Sequence, residues 1–215
     1  MKENRTRSAY IIIDMQKGFV DEDSAHCIRN ARATIPACVE TMDIAREKGM
    51  PVIWVRRIYR ADGSDVELTR YQGWAAGGRS MAPGVDSCGW AEGLVPKAGD
   101  YIVTKPRWSA FFGTELDLIL RRLGVRTVVL AGTTTPNCIR TTAYDAIALD
   151  YNVAVLTDCC SSQTEEIQRV NMEDMERVGA VLLEAGEFGN FQGLLDAVEP
   201  IREAMADAPV PEPVE

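Results

Sequence analysis

Three residues of this sequence could do covalent chemistry together: Asp14, Lys105 and Cys138. Cys138 closes a turn of small residues, 132–137, behind the apolar run 127–131. Beyond it Ile139, Ala143, Ala146, Ile147 and Leu149 recur at helical spacing. Strand, tight turn, cysteine, helix: this order puts a thiol at a helix N-terminus, where unpaired N–H groups and the helix dipole are positive. Such a position predicts a lowered thiol pKa and a place for a developing oxyanion. A buried structural cysteine fits the same stretch. Asp14 follows the apolar run 10–13, and Lys105 follows the run 101–104. In open parallel sheets ligands sit beyond the carboxyl ends of the strands, so these positions share one edge. There a carboxylate can carry the thiol proton and an ammonium can hold the thiolate. His26, the single histidine, lies in the polar loop 21–30 and reads as a surface residue. One histidine cannot build a histidine-rich metal site.

The elements that must position these groups alternate. Apolar runs at 10–13, 52–55, 101–104, 127–131, 153–156 and 180–183 read as buried strands. Helical patterns occupy 35–48, 114–123 and 162–178, and a last one lies within 188–205, interrupted near Pro200. The expected fold class is α/β, a three-layer αβα sandwich around a six-stranded, parallel, doubly wound, Rossmann-like sheet. If the strand order is 3-2-1-4-5-6, the end of strand three lies about 10 Å from strand one, and Lys105 must reach inward or its exit must bend. The stretch 56–100, rich in Gly, Arg and aromatic residues, is too long for a plain connection. It reads as a substrate lid or subunit contact, or as a solvated excursion whose arginines pair with Asp62, Asp65 and Glu67. A single domain over 1–207 is expected, with 56–100 as its insert and 208–215 as a flexible, acidic, Pro-rich tail.

A chain of 215 residues, 46% of them hydrophobic, can bury one sizeable core. Its net charge of -9 argues against nucleic acid or an anionic membrane as partner. No apolar run approaches the roughly 18 residues of a membrane span, and the N-terminal residues lack a signal-peptide pattern. A cytoplasmic protein is expected. The six cysteines show no spaced framework and no CxxC, so they read as reduced thiols. Neither GxGxxG after the first strand nor GxxxxGK[ST] is present, which removes the dinucleotide and P-loop readings. No cofactor is expected.

The segments IIIDMQKGF, TKPRWSAFFGTELD and AGTTTPNCIRTTAYDA, in that order, resemble the isochorismatase-like cysteine hydrolases over about 9–183. The resemblance implies a catalytic Asp14–Lys105–Cys138 triad and a cis peptide at Thr133–Thr134. It further implies an oxyanion hole made by the N–H groups of Thr134 and Cys138. Members that cleave the vinyl ether of isochorismate lack the cysteine, which is present here. Nicotinamidases carry an Asp-His-His metal site after strand two, whereas residues 56–70 contain no histidine. What remains is the metal-free amidase branch, which includes N-carbamoylsarcosine amidase, ureidoacrylate amidohydrolase and biuret hydrolase. The implied reaction is cleavage of the C–N bond of a small linear amide or ureido compound through a thioester. Gln16, Trp108, Phe111 and Phe112 are candidate pocket walls, with packing as their alternative role. Arg107 is a candidate for a substrate carboxylate, with a surface ion pair as its alternative. Family habit and the aromatic-rich insert imply a homo-oligomer. Two other readings stay open: hydrolysis of an ester or vinyl ether at the same site, and a non-enzymatic thiol redox sensor.

Overall fold

In a computed structural model, which describes residues 7–193 and 195–206, the chain forms one six-stranded sheet flanked by helices. The strands are β1 (Ser8–Ile13), β2 (Val52–Arg57), β3 (Tyr101–Lys105), β4 (Thr127–Thr133), β5 (Asn152–Ser161) and β6 (Val181–Leu183). All five pairings are parallel, in the order β3-β2-β1-β4-β5-β6. The helices are α1 (Lys17–Val20), α2 (Ile35–Glu47), α3 (Tyr71–Ala76), α4 (Leu116–Arg122), α5 (Arg140–Ala148), α6 (Glu165–Arg177), α7 (Ala185–Phe188) and α8 (Leu195–Ala206).

The strand side chains alternate between two cores, because successive residues of a strand face opposite sides. Ala9, Ile11 and Ile13 of β1 pack with Leu116, Leu120, Ala143 and Met175 of α4, α5 and α6. Tyr10 and Ile12 pack on the other face with Cys38, Met42 and Phe188 of α2 and α7. The sandwich therefore has three layers, as the alternation of runs predicts. Among the described residues no helix is long and apolar enough to cross a membrane.

Local chemistry sets most element ends. Pro36 occupies the first turn of α2, where no N–H is needed, and Gly49 behind it takes φ 69°. Thr164 caps α6, its hydroxyl accepting from Ile167 N–H at 3.2 Å. That cap moves the helix start from the expected 162 to 165. Two further differences come from packing. β5 continues five residues past the expected end at 156, because a register shift against β4 carries pairing on to Cys160 and Ser161. The last helix expected within 188–205 is α8, which continues through Pro200 instead of being interrupted there, and a short helix, α7, precedes it. Phe188, which ends α7, is buried and stacks on Phe191 at 5.8 Å. The tail expected at 208–215 lies outside the described residues.

The stretch between β2 and β3 carries short elements, α3 and a 3₁₀ turn at Asp86–Cys88. It builds a small core of its own from Tyr59, Val66, Trp74, Met81 and Ala82, with Phe19 packed against it. It is therefore folded rather than a solvated excursion, although Arg57 does pair with Glu67.

Candidate active site

Register fixes the site. Ile13 pairs with Val55 on one side and Gly132 on the other, so β1, β2 and β4 end close to one level. Gly132 has φ 114°, and a Cβ there would sit 2.1 Å from Ile13 O, so only glycine lets the two strand ends approach. Asp14 follows with φ 54°, its N–H donating to Val55 O at 2.8 Å. Lys105 ends β3 opposite Arg57 of β2. Its side chain reaches past the end of β2, and Nζ lies 2.7 Å from Asp14 Oδ2. The same ammonium donates to Arg107 O at 3.0 Å and approaches Cys138 Sγ at 3.5 Å. Asp14, Lys105 and Cys138 are 1%, 0% and 5% exposed.

Cys138 sits in a π-helical turn, Thr135–Ile139, which leads into α5. The Thr133–Thr134 peptide before it is cis. The hydroxyls of Thr134 and Thr135 both donate to Ser161 O, at 3.2 and 3.1 Å. Ser161 Oγ donates to Thr133 Oγ1 at 3.0 Å, and Thr142 Oγ1 donates to Cys138 O at 2.6 Å. The extension of β5 thus anchors the turn that carries the thiol.

The helix-start position predicts an easily ionised thiol; the structure reverses that expectation. Burial pushes the Cys138 pKa up to about 11, and the Asp14 charge adds to the rise. Lys105 and Arg57 oppose it without overcoming it. The resting group is a neutral thiol beside a carboxylate. Asp14 Oδ2 is held by Lys105, while Oδ1 has no hydrogen-bond partner.

A cavity of about 250 Å³ opens on Asp14, Thr133, Thr134, Asn137 and Cys138. Trp108, Phe19, His26, Arg57 and Arg70 line its other sides. Of the residues singled out from sequence, Asp14, Cys138, Thr134 and Trp108 line this cavity, and Lys105 lies buried behind Asp14 and Cys138. Gln16 does not line it. Its amide is spent on Arg57 N–H, at 2.7 Å, and on Arg57 O and Cys88 O, so it braces β2 against the insert. Phe111 packs on the core and stacks on Tyr151 at 5.9 Å. Phe112 is 63% exposed and lines, with Arg107, a separate outer groove. Arg107 donates to the carbonyls of Asp65 and Pro106. The exit of β3 turns at Pro106, and the fold of 106–112 sends these side chains away from the cavity.

Sequence reasoning missed His26, Arg57 and Arg70. For Arg57 a signal existed: it ends β2 in register with Lys105, so the strand-end rule that selects Lys105 also selects it. His26 and Arg70 come from loops whose placement no local pattern announces. Burial and the charges of Arg70 and Arg57 lower the His26 pKa, which favours the neutral ring. Among the described residues no group of three or more His, Cys, Asp or Glu is arranged to hold a metal ion.

Comparison with known proteins places the fold in a family. The model of the isochorismatase domain matches residues 8–187. The chain belongs to the isochorismatase family. A crystal structure of an isochorismatase family protein from Desulfovibrio vulgaris superposes with a TM-score of 0.82 at 41% identity. It covers 92% of this chain and all of that one, 100%. An Arabidopsis thaliana protein named "Probable inactive nicotinamidase" is 38% identical over 83% of this chain and 93% of its own length. The ureidoacrylate amidohydrolase of Azorhizobium caulinodans is 28% identical over 94% of this chain and 92% of its own. This family member is thus a hydrolase by descent, with an amidohydrolase among its relatives.

Proposed function

We propose that this isochorismatase-family chain is a cysteine amidohydrolase, which cleaves the C–N bond of a small linear amide or ureido compound. The observation that carries the reading is the contact of Lys105 Nζ with both Asp14 and Cys138, at 2.7 and 3.5 Å, beside the cavity. Kinship with a ureidoacrylate amidohydrolase supports the bond type. Because burial keeps Cys138 protonated, the nucleophile must be made locally. Asp14 Oδ1 takes the thiol proton as sulfur attacks the carbonyl carbon, and the π electrons move to oxygen. The N–H groups of Thr134 and Cys138 receive that oxyanion. As the C–N bond breaks, Asp14 returns the proton to the leaving nitrogen, and a thioester remains. Water then gives a proton to Asp14 and attacks the thioester. The C–S bond breaks and the sulfur recovers its proton. Lys105 holds Asp14 in place and offsets its charge throughout.

The same reading treats residues 1–207 as one hydrolase domain that uses residues 56–100 as a wall of the site. It describes a cytoplasmic homo-oligomer. Ammonia release from a panel of small carboxamides and ureido compounds tests it, with mass spectrometry of the acyl-enzyme. Cys138→Ala is expected to lower turnover at least about 1,000-fold and to abolish the adduct. Full turnover in that variant sinks the reading.

A further inference from the structure

The catalytic cavity has a neighbour that the proposed reaction leaves unused. This second chamber, also about 250 Å³, shares Phe19, His26, Arg57 and Arg70 with the first. Its remaining walls are mostly apolar: Tyr59, Val66, Trp74 and Met81, buried residues of the insert's own core. The polar atoms of those walls are already engaged. Trp74 Nε1 donates to Ser80 O at 2.8 Å, and Tyr59 Oη bonds Arg57 and Glu67, each at 2.8 Å. The Arg57 guanidinium is turned toward Tyr59 and Glu67. An apolar group therefore enters this chamber without stranding a donor or an acceptor. The rim is open to solvent, since Thr69, Arg70 and Gly73 line the chamber and are exposed.

We propose that the insert chamber is the subsite for an apolar part of the substrate, which runs from the reacting carbonyl beside Cys138, past Phe19 and His26, into the insert. The substrate class is then an extended amide or urea with an alkyl or aryl group several bonds from the carbonyl. The inference rests on the amidohydrolase reading only for the bond that breaks. Size supports it. Either chamber alone falls below the roughly 300–1,000 Å³ of small-molecule sites, and the two together fall within that range. The partition between them supports it too. The His26 ring and the Arg70 guanidinium, both exposed, make no hydrogen bond or ion pair among the described residues. Both turn aside without breaking one, on the fast timescale of exposed side chains. The outer groove beside Phe112 is a poorer host, because it shares only Trp108 with the catalytic cavity. On this arrangement the strand ends supply the chemistry and the insert selects the tail.

A matched pair of alkylating agents tests the subsite without any turnover. Chloroacetamide and N-hexylchloroacetamide both alkylate Cys138: the C–S bond forms, chloride leaves, and the thiol proton is released. They differ in one apolar tail. The hexyl-to-parent rate ratio at Cys138, read by peptide mass spectrometry and divided by the same ratio on glutathione, is expected to be at least about ten. Gly73 and Thr69 are places for a plug, since both line the insert chamber and neither lines the catalytic cavity. A Cβ on Gly73 meets nothing within 4 Å, and leucine suits helix α3 better than glycine does. Gly73→Leu or Thr69→Trp should lower the ratio at least about threefold and leave the rate of the parent reagent unchanged. A normalised ratio near one in the unmodified protein overturns the proposal, and so does a ratio that neither plug lowers. Ammonia release from N-methylurea and N-hexylurea separates the two ideas. Equal kcat/KM for both removes the apolar subsite and leaves the amidohydrolase. No ammonia from any carboxamide or ureido compound, with the plug-sensitive alkylation ratio intact, removes the amidohydrolase and leaves the subsite.

Discussion

Two ion pairs are buried around one cavity, and they are built differently. Lys105 and Asp14 lie 2.7 Å apart at the strand ends, and the ammonium also reaches Arg107 O and Cys138. Arg57 and Glu67 lie 3.3 Å apart where β2 enters the insert, and Nε, Nη2 and Oε1 stay without hydrogen bonds. The first pair leaves one oxygen unpaired, Asp14 Oδ1; the second leaves three polar atoms unpaired. A buried pair repays its desolvation only with good geometry and filled hydrogen bonds. By that measure the strand-end pair is the better satisfied, and the insert's pair leaves three buried polar atoms without hydrogen bonds. A parallel sheet places its strand ends rigidly, whereas the insert holds Glu67 through a small core of five buried residues.

Asp14→Asn should break the strand-end pair with the largest effect. It leaves a buried ammonium unpaired, at a cost of about 3–5 kcal/mol in denaturant titrations. The same change should move Cys138 the other way. The Asp14 charge helps raise the thiol to about 11, so its loss lets thiolate form at lower pH. The midpoint of the alkylation-rate profile then falls below 11 while amide turnover collapses. A rise in that midpoint contradicts the cause assigned to the shift. Glu67→Gln should cost less, about 1–3 kcal/mol, because it removes a contact without hydrogen bonds and keeps an acceptor for Tyr59. A loss as large as that of Asp14→Asn would erase the contrast between the pairs. Arg107→Lys is expected to leave KM for acidic substrates unchanged, since its guanidinium faces carbonyls outside the cavity. A several-fold rise in KM would return Arg107 to the site.

The legible part of this protein is the part encoded by local pattern. Asp14, Lys105 and Cys138 were readable because each follows an apolar run, and parallel strands deliver their ends to one edge. Arg57 was readable by the same rule, but the apolar run stops at Val55 while pairing continues to Arg57. Gln16 and Phe111 were misassigned because sequence neighbours of residues at a cavity need not face that cavity. Gln16 sits two positions past Asp14 and is wholly committed to backbone groups of β2 and the insert. Phe111 and Phe112 depended on the path of the chain beyond Pro106, which no periodicity describes.

By itself the sequence determined the alternation of strands and helices, the two-faced core and the positions of the acid, the cation and the thiol. Each follows from burial period and position along the chain, which are local properties. Tertiary structure decided the protonation state of that thiol and the charge of the cavity. Burial and the charges of Asp14, Lys105 and Arg57, which come from three different strands or strand ends, act together on Cys138. Loops around 26 and 70 add their groups to the wall from far along the chain. An electrostatic environment is a sum over neighbours in space, and only the folded chain assembles those neighbours.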